Sequence, residues 1–535
     1  MNKRILLSIA WAATMALPLV GCSSDDVPTY TKDWDNATYF KSADEKLQAT
    51  YYKPYSGYVG DPMPFYDPVA RDFKILYLQD YRPNPAATYH PIRAVSTTDV
   101  AGYTALGELI SCGGAAEQDA ALGTGSTIYS ESEKLYYTFY TGNKYQPTAS
   151  ESGQAVMVAT SPDFKTWTKN RTFFLRGEDY GYSRNDFRDP FVFKGDDGLY
   201  HLLVSTTRNN KGTIAEFTSS DLKNWDSAGT FMTMMWDRFY ECPDVFKMGD
   251  WWYLVYSEKH AAVRRVQYFK GKTLDELKAC TANDAGLWPD SHEGFLDSRG
   301  FYAGKTASDG TNRYIWGWCP TRPGQDNTAV GAYPNEPEWA GNLVAHRIIQ
   351  HSDGTLTLGE VKGISEKYGM EQELKLMEQS GQGVTADGNG TYTLTGDAHI
   401  LFNRLGYHNK ISFTVRTNGP SDKFGLSLVR GNDYGKYYSI IVNPESDTLR
   451  KINFEEEGTE GKGFIEGIDG YTFGRPADNT YHVTVYTDNS VCVVYINDIC
   501  NYTNRIYGIQ KNCWSINSYG GGTITVSDLK VSQYQ

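Results

Sequence analysis

Five aromatic-rich segments recur between residues 73 and 319, and they limit the fold more than any other feature of the chain. They are Phe73–Gln79, Leu135–Thr141, Leu199–Ser205, Trp251–Ser257 and Arg313–Cys319, starting 52 to 64 residues apart. Each follows a turn-like stretch containing Asp, Ser or Gly. A second element keeps the same rhythm. Ser161-Pro162-Asp163-Phe164-Lys165-Thr166-Trp167 and Ser219-Ser220-Asp221-Leu222-Lys223-Asn224-Trp225 are near copies, and Thr97–Tyr103 is a weaker third. Short aromatic and β-branched runs between turn residues read as strands. A period of this length with several strands per copy suits propeller blades of four strands each. Five copies within residues 50–365 predict a five-bladed β-propeller; one large β-sandwich with accidental internal similarity is the alternative.

The texture changes after the last copy. Residues 366–380 are charged and read as a linker or short helix. In 381–535 alternating strands return without the echo. His482–Tyr486 and Ser490–Ile496 read as a hairpin across Thr487–Ser490. This region is predicted to be a separate β-sandwich. The chain is therefore expected to be all-β, a five-bladed β-propeller followed by a C-terminal β-sandwich. The 40 Tyr, 23 Phe and 12 Trp supply the strand-forming side chains that such a fold needs.

The first 22 residues read differently. Lys3 and Arg4 precede an apolar run from Ile5 to Val20, and small residues lead into Cys22. That order is the pattern of a secretory signal. Its Leu19-Val20-Gly21-Cys22 ending resembles a bacterial lipoprotein signal, which implies lipidation of Cys22. Each buried lipid methylene contributes about 0.8 kcal/mol of membrane affinity. Residues 23–49 are expected to be a linker and N-terminal extension. The acidic Ser23–Asp26 stretch at its start resembles the sorting signal of surface-exposed lipoproteins. The expected location is the outer membrane, on the cell surface or its periplasmic face, with the lipid as the sole membrane contact. No later stretch is long and apolar enough to span a bilayer.

A net charge of −13 without a long basic run argues against nucleic acid as a partner. The seven cysteines after Cys22 lack the CxxC pairs of a zinc site, and no His or Cys cluster suggests a catalytic metal or another cofactor. Cys492 and Cys500 are candidates for a disulfide.

The segment before each aromatic strand should be the innermost strand of its blade. Three such segments share a signature: Asp61-Pro62-Met63-Pro64, Asp189-Pro190-Phe191-Val192 and Cys242-Pro243-Asp244-Val245. Aligned on proline, Asp61 and Asp189 are equivalent and Glu241 stands one residue ahead. Equivalent positions of different blades converge at one mouth of the central channel, so three distant carboxylates are expected to be neighbours. Strand side chains alternate between faces, so Glu241 joins them only if a bend or bulge intervenes. Clustered carboxylates suit glycoside hydrolysis, where one protonates the leaving oxygen and another attacks or activates water.

Arg188-Asp189-Pro190 and Glu241-Cys242-Pro243, with the early Asp61-Pro62, resemble glycoside hydrolase family 32, the β-fructosidases. Gln79, Gly125-Ser126, Tyr140-Thr141-Gly142, Gly300-Phe301-Tyr302-Ala303, Gly317-Trp318, Trp339-Ala340-Gly341 with Arg347, and Asn504-Arg505-Ile506-Tyr507 extend the likeness over most of the chain. The resemblance implies a fructan or fructosyl oligosaccharide substrate and a retaining mechanism. In it Asp61 is the nucleophile, Glu241 the general acid and then base, and Asp189 the transition-state stabiliser. It places Arg188, Gln79, Ser126, Tyr302, Trp318 and Trp339 among the substrate-binding positions. Cys242 either tunes the acid beside it or fills a buried strand position.

The chain also departs from the family. Tyr58-Val59-Gly60-Asp61-Pro62-Met63-Pro64 stands where the family carries Trp-Met-Asn-Asp-Pro-Asn-Gly, and Pro91–Ala94 where it carries Trp-Gly-His-Ala. Two rival readings follow. One is a family 43-like arabinan or xylan hydrolase on the same propeller, with wider carboxylate spacing and inversion. The other is a surface lipoprotein that binds glycan without cleaving it. A fructosyltransferase is a variant of the favoured reading. Linkage preference, between levan, inulin and sucrose, falls to loops such as Gln146–Gln154 and Pro320–Pro337.

Overall fold

The computed structural model describes residues 50–54, 57–80, 90–233, 239–258, 265–280, 294–320, 339–380, 382–419, 422–429, 437–444, 449–456, 471–506, 509 and 512–535. Cys22, the segments 1–22 and 23–49, most of the Pro320–Pro337 loop and Tyr507 lie outside them.

Each of the five aromatic segments forms the second strand of a blade: Asp72–Asp80, Leu135–Asn143, Tyr200–Arg208, Trp251–Glu258 and Arg313–Pro320. These strands are buried on both faces along most of their length, because a blade stacks on its neighbour to either side. That is why they read as continuous apolar runs instead of alternating ones. The inner strands are Tyr58–Asp67, Ala121–Ser130, Phe187–Lys194, Tyr240–Met248 and Tyr302–Ser308. Each pairs antiparallel with its second strand, and successive inner strands pack side by side until the fifth meets the first. A Val59–Gly341 pairing joins blades one and five into one sheet and pins the closure.

The weaker echo also has a physical origin. Ser161, Ser219 and Thr97 end the third strands of blades two, three and one. Asp163, Asp221 and Asp99 then each accept two backbone N–H bonds from the residues that follow. Phe164, Leu222 and Val100 turn the chain with φ of 60°, 64° and 59°. The repeated Asp is a turn residue held by its own backbone.

The C-terminal region is a sandwich of two antiparallel sheets. One contains His408–Thr417, Thr480–Asp488, Val491–Ile496 and Thr523–Gln533, and the other Ala398–Phe402, Lys423–Val429, Tyr437–Pro444 and Trp514–Tyr519. Between them Phe402, Phe413, Leu428, Tyr481, Trp514 and Ile516 form part of the buried core. The predicted hairpin is present, with Val483 to Asp488 paired to Ile496 to Val491.

Two expectations are corrected here. The 366–380 linker instead supplies strands to the sandwich: Met370–Gln372 pairs with Thr523–Gln533, and Leu376–Gln379 with Ala398–Phe402. Both are largely exposed edge strands, so no alternating pattern marks them. Cys492 and Cys500 are not joined by a disulfide. They sit on neighbouring strands but out of register, Cys492 opposite Asn504 and Cys500 opposite Ile496.

The two domains share a buried seam. Val491, Val493 and Tyr495 pack into the propeller while Cys492, Val494 and Ile496 of the same strand face the sandwich core. Arg505 is fully buried there. It donates to the carbonyl oxygens of Cys319 (2.6 Å) and Pro320 (3.1 Å), to Asn342 Oδ1 (2.9 Å) and to Ser490 Oγ (2.8 Å).

Candidate active site

Every inner strand breaks its ladder with its neighbour near its start. In blades one, three, four and five two residues oppose one: Asp61-Pro62, Asp189-Pro190, Cys242-Pro243 and Ala303-Gly304. The first residue of each bulge has positive φ, 25° at Asp61, 58° at Asp189, 52° at Cys242 and 54° at Ala303. In blade two Thr124 is the extra residue, between Gly123 and Gly125. A bulge re-aims side chains, so two consecutive residues of one strand can turn toward the channel mouth. This resolves the offset of Glu241. It stands level with Arg188 and Tyr302, just ahead of the bulge, whereas Asp61 and Asp189 occupy the bulge position itself. Holding non-glycine residues at positive φ costs about 1 kcal/mol or more apiece.

Asp61 sits within a set of donors. Trp318 Nε1 and Trp339 Nε1 donate to its Oδ1 (2.9 and 3.3 Å), and Thr124 Oγ1 donates to its Oδ2 (2.9 Å). Burial pushes its carboxyl above the ordinary range, the Glu241 charge adds to this, and the three donors oppose it. Asp189 is buried, and its Oδ2 accepts the Cys242 N–H at 2.9 Å. Burial raises its pKa to about 6 against the pull of Arg188, with the charges of Glu241 and Asp61 contributing. Glu241 is held at both oxygens, by Arg188 Nη2 (3.1 Å) and by the Tyr302 hydroxyl (2.6 Å). Arg188 also bonds Asp186 Oδ1 (2.8 Å) and lies 4.0 Å from the Phe239 ring centre.

The structure thus brings Asp61, Asp189, Glu241, Arg188, Tyr302, Trp318 and Trp339 into one connected site. Ser126 is buried, and its hydroxyl accepts the Val192 N–H at 2.9 Å and ties blade two to blade three. Gln79 is buried in the second strand of blade one, opposite Val59. Burial, with the Asp189 and Asp61 charges, pushes the Cys242 thiol well above its ordinary pKa. It packs on Tyr302, Ala303 and Trp318, and its contribution to the carboxylates is its backbone N–H.

Sequence reasoning missed Thr124, Asp186 and Phe239, and named Thr141 only within the likeness of Tyr140-Thr141-Gly142, without a role. The signal for Thr124 was its place directly before Gly125-Ser126. Thr124-Gly125 stands where blades one, three and four carry a residue followed by proline, so alignment on proline passed over it. Among the described residues no group of three or more His, Cys, Asp or Glu side chains is arranged to hold a metal ion.

Residues 52–359 match the model of the glycosyl hydrolases family 32 N-terminal domain, more than half of the chain. The chain belongs to glycoside hydrolase family 32. Residues 354–531 match the family 32 domain described as "GH32, BT1760-like, C-terminal domain", which covers the sandwich. Among curated relatives, an Arabidopsis thaliana β-fructofuranosidase, insoluble isoenzyme CWINV2, is 30% identical over 40% of this chain and 39% of its own length. A Streptococcus mutans fructan β-fructosidase is 24% identical over 67% of this chain and 24% of its own. A Staphylococcus xylosus sucrose-6-phosphate hydrolase is 24% identical over 59% of each. The chain thus spans about a quarter to three fifths of the length of these curated relatives.

Solved structures agree on the fold. The sucrose-6-phosphate hydrolase of Lactobacillus gasseri superposes with a TM-score of 0.68 at 19% identity, over 96% of this chain and 97% of that one. The fructan 1-exohydrolase IIa of Cichorium intybus gives 0.68 at 15% identity, over 90% and 97%.

Proposed function

We propose that this protein is a retaining glycoside hydrolase that cleaves β-fructosidic linkages in fructans or fructosyl oligosaccharides. One observation carries the reading: in a family 32 chain, three blades deliver Asp61, Asp189 and Glu241 to one mouth, each held by hydrogen-bond donors from neighbouring blades. The Asp61 carboxylate attacks the anomeric carbon of the fructosyl unit, while Glu241 gives its proton to the departing glycosidic oxygen. Glu241, now a carboxylate, takes a proton from the water that displaces Asp61, and the enzyme returns to its starting state. Asp189 accepts hydrogen bonds from fructose hydroxyls, with one oxygen already fixed by the Cys242 N–H. Arg188 and Tyr302 keep the Glu241 carboxyl oriented through both steps. Trp318 and Trp339 act through Asp61, since both indole N–H groups point at its Oδ1.

The test is product release by the mature protein on levan, inulin, sucrose and arabinan in parallel. Fructose or fructo-oligosaccharides are expected. Arabinose as the main product would move the chain to arabinan chemistry, and products longer than the substrate to fructosyl transfer. Binding without release would make it a glycan-binding protein.

The same reading takes Cys22 as the site of lipid attachment and the outer membrane as the location, because the first 22 residues have the order of a lipoprotein signal. A fatty-acid analogue fed to the expressing bacterium is expected to label the protein but not its Cys22→Ala variant. Equal labelling of both would remove the anchor from the reading.

A further inference from the structure

Blade two gives no carboxylate to the site, yet its inner strand is fixed from three sides. The buried Lys305 of blade five donates to the Gly125 carbonyl (2.8 Å), Val192 of blade three donates to Ser126 Oγ (2.9 Å), and the Gly125 N–H meets Met63 Sδ of blade one (3.0 Å). From this blade two threonines reach the acids. Thr124 Oγ1 donates to Asp61 Oδ2 (2.9 Å). The Thr124 carbonyl accepts from Thr141 Oγ1 (3.0 Å), and the same Thr141 hydroxyl accepts the Asp189 N–H (2.9 Å). Thr141 lies on the adjacent second strand and is fully buried. A continuous hydrogen-bonded path therefore runs Asp61–Thr124–Thr141–Asp189, and continues through Asp189 Oδ2 to the Cys242 N–H beside Glu241.

We propose that Thr124 and Thr141 are positioning residues that set the Asp61 carboxylate relative to Asp189, making blade two the spacer of the active site. The assignment rests on the β-fructosidase reading for its catalytic consequences, though not for its geometry. Thr141 is suited to the role because a hydroxyl both donates and accepts; one side chain fixes the Thr124 carbonyl and the Asp189 backbone at once. Thr124 has a second effect. Asp61 is raised by burial and faces Glu241 from blade four. Its charge in turn raises Asp189 on blade three and Cys242 on blade four. The Trp339 indole bonded to it has the His90 ring centre 4.8 Å away. In that surrounding each donor to Asp61 favours its charged, attacking form.

The experiment compares Thr124→Val, Thr124→Ser, Thr141→Val and Thr141→Ser in the full processed protein, with thermal melts to confirm folding. In Thr124→Val the acid limb of kcat/KM is expected to move up by about one pH unit, since a charge-assisted hydrogen bond to the ionised form is lost. Its kcat is expected to fall about ten-fold with KM little changed, as for an interaction used mainly in the transition state. Thr141→Val should lower kcat in the same way, and both serine variants should recover wild-type behaviour. A Thr124→Val enzyme with the wild-type acid limb and kcat would overturn the proposal, as would failure of serine to rescue. An activity-independent readout separates this from the functional reading. Carbodiimide labels protonated carboxyls, so peptide mapping gives the pH midpoint of Asp61 labelling even if no fructoside is cleaved. That midpoint should rise by about one unit in Thr124→Val; coincident midpoints would reject the role of Thr124 whatever the substrate.

Discussion

The second strands of the blades and the strands of the sandwich are both antiparallel, yet they bury their side chains by different rules. Asp72–Asp80 and Trp251–Glu258 are buried at nearly every residue, whereas His408–Thr417 alternates between buried and part-exposed positions from end to end. The difference lies in what stands on each side. A blade has another blade on both faces, while most sandwich strands have protein on one face and water on the other. Val491–Ile496 shows the rule from within the sandwich. It is buried throughout because one face meets the sandwich core and the other the propeller. The two regions also differ in what interrupts them. All five inner strands of the propeller carry a bulge at the channel mouth, and two of these bulges hold carboxylates whose pKa values burial raises. The sandwich core is built of hydrophobic side chains, and the buried Arg505 at the seam donates to two backbone carbonyls and two side-chain oxygens. Chemistry sits where the ladder is broken, and stability where it is whole.

That contrast can be broken most sharply at the bulges. Asp61→Asn and Glu241→Gln are each expected to cut kcat about a thousand-fold or more, because they remove the nucleophile and the proton donor. Their melting temperatures should match or exceed the wild type. A variant of either kind with near-normal turnover would reject the role assigned to that residue.

Arg505→Ala probes the opposite region. It leaves the Cys319 and Pro320 carbonyls and the Asn342 and Ser490 oxygens without their buried donor. The expected loss is about 3 kcal/mol in a denaturant titration, with the active-site contacts untouched. A loss below about 1 kcal/mol would show that the seam relies on the apolar face of Val491, Val493 and Tyr495 instead.

A smaller effect sharpens the comparison at Asp189. Its folded pKa of about 6 lies above the ordinary carboxyl value, so the folded state holds a proton that the unfolded chain has released. Stability should therefore decline as pH rises from about 4 to about 6. Asp189→Asn removes that dependence. It is expected to raise Tm by about 2 °C at pH 7, with the gain vanishing at pH 4 and with activity falling. Equal Tm values of variant and wild type at both pH values would mean that burial does not hold the Asp189 carboxyl above its ordinary range.

Much of this was legible in the chain itself. Aromatic runs such as Trp251–Ser257 located every second strand, since a strand buried on both faces must be apolar throughout. The Asp of each echo marked a turn, since its carboxylate accepts the backbone N–H groups two and three residues on. The recurring Asp-Pro and Glu-Cys-Pro segments singled out Asp61, Asp189 and Glu241. The edge strands Met370–Gln372 and Leu376–Gln379 were not legible, because an exposed edge imposes no burial pattern and its partners lie far along the chain. The sequence by itself thus determined whatever depends on local bonding or on burial along one strand: five repeats, their turns, and which carboxylates stand at blade entrances. Only the tertiary structure decided that a bulge sets Glu241 level with Arg188 and Tyr302, that Thr124 and Thr141 of a carboxylate-free blade link Asp61 to Asp189, and that Arg505 closes the seam. Each of these depends on contacts between residues tens to hundreds of positions apart, and the pattern along a single strand carries no record of what the neighbouring blade or domain presents to it.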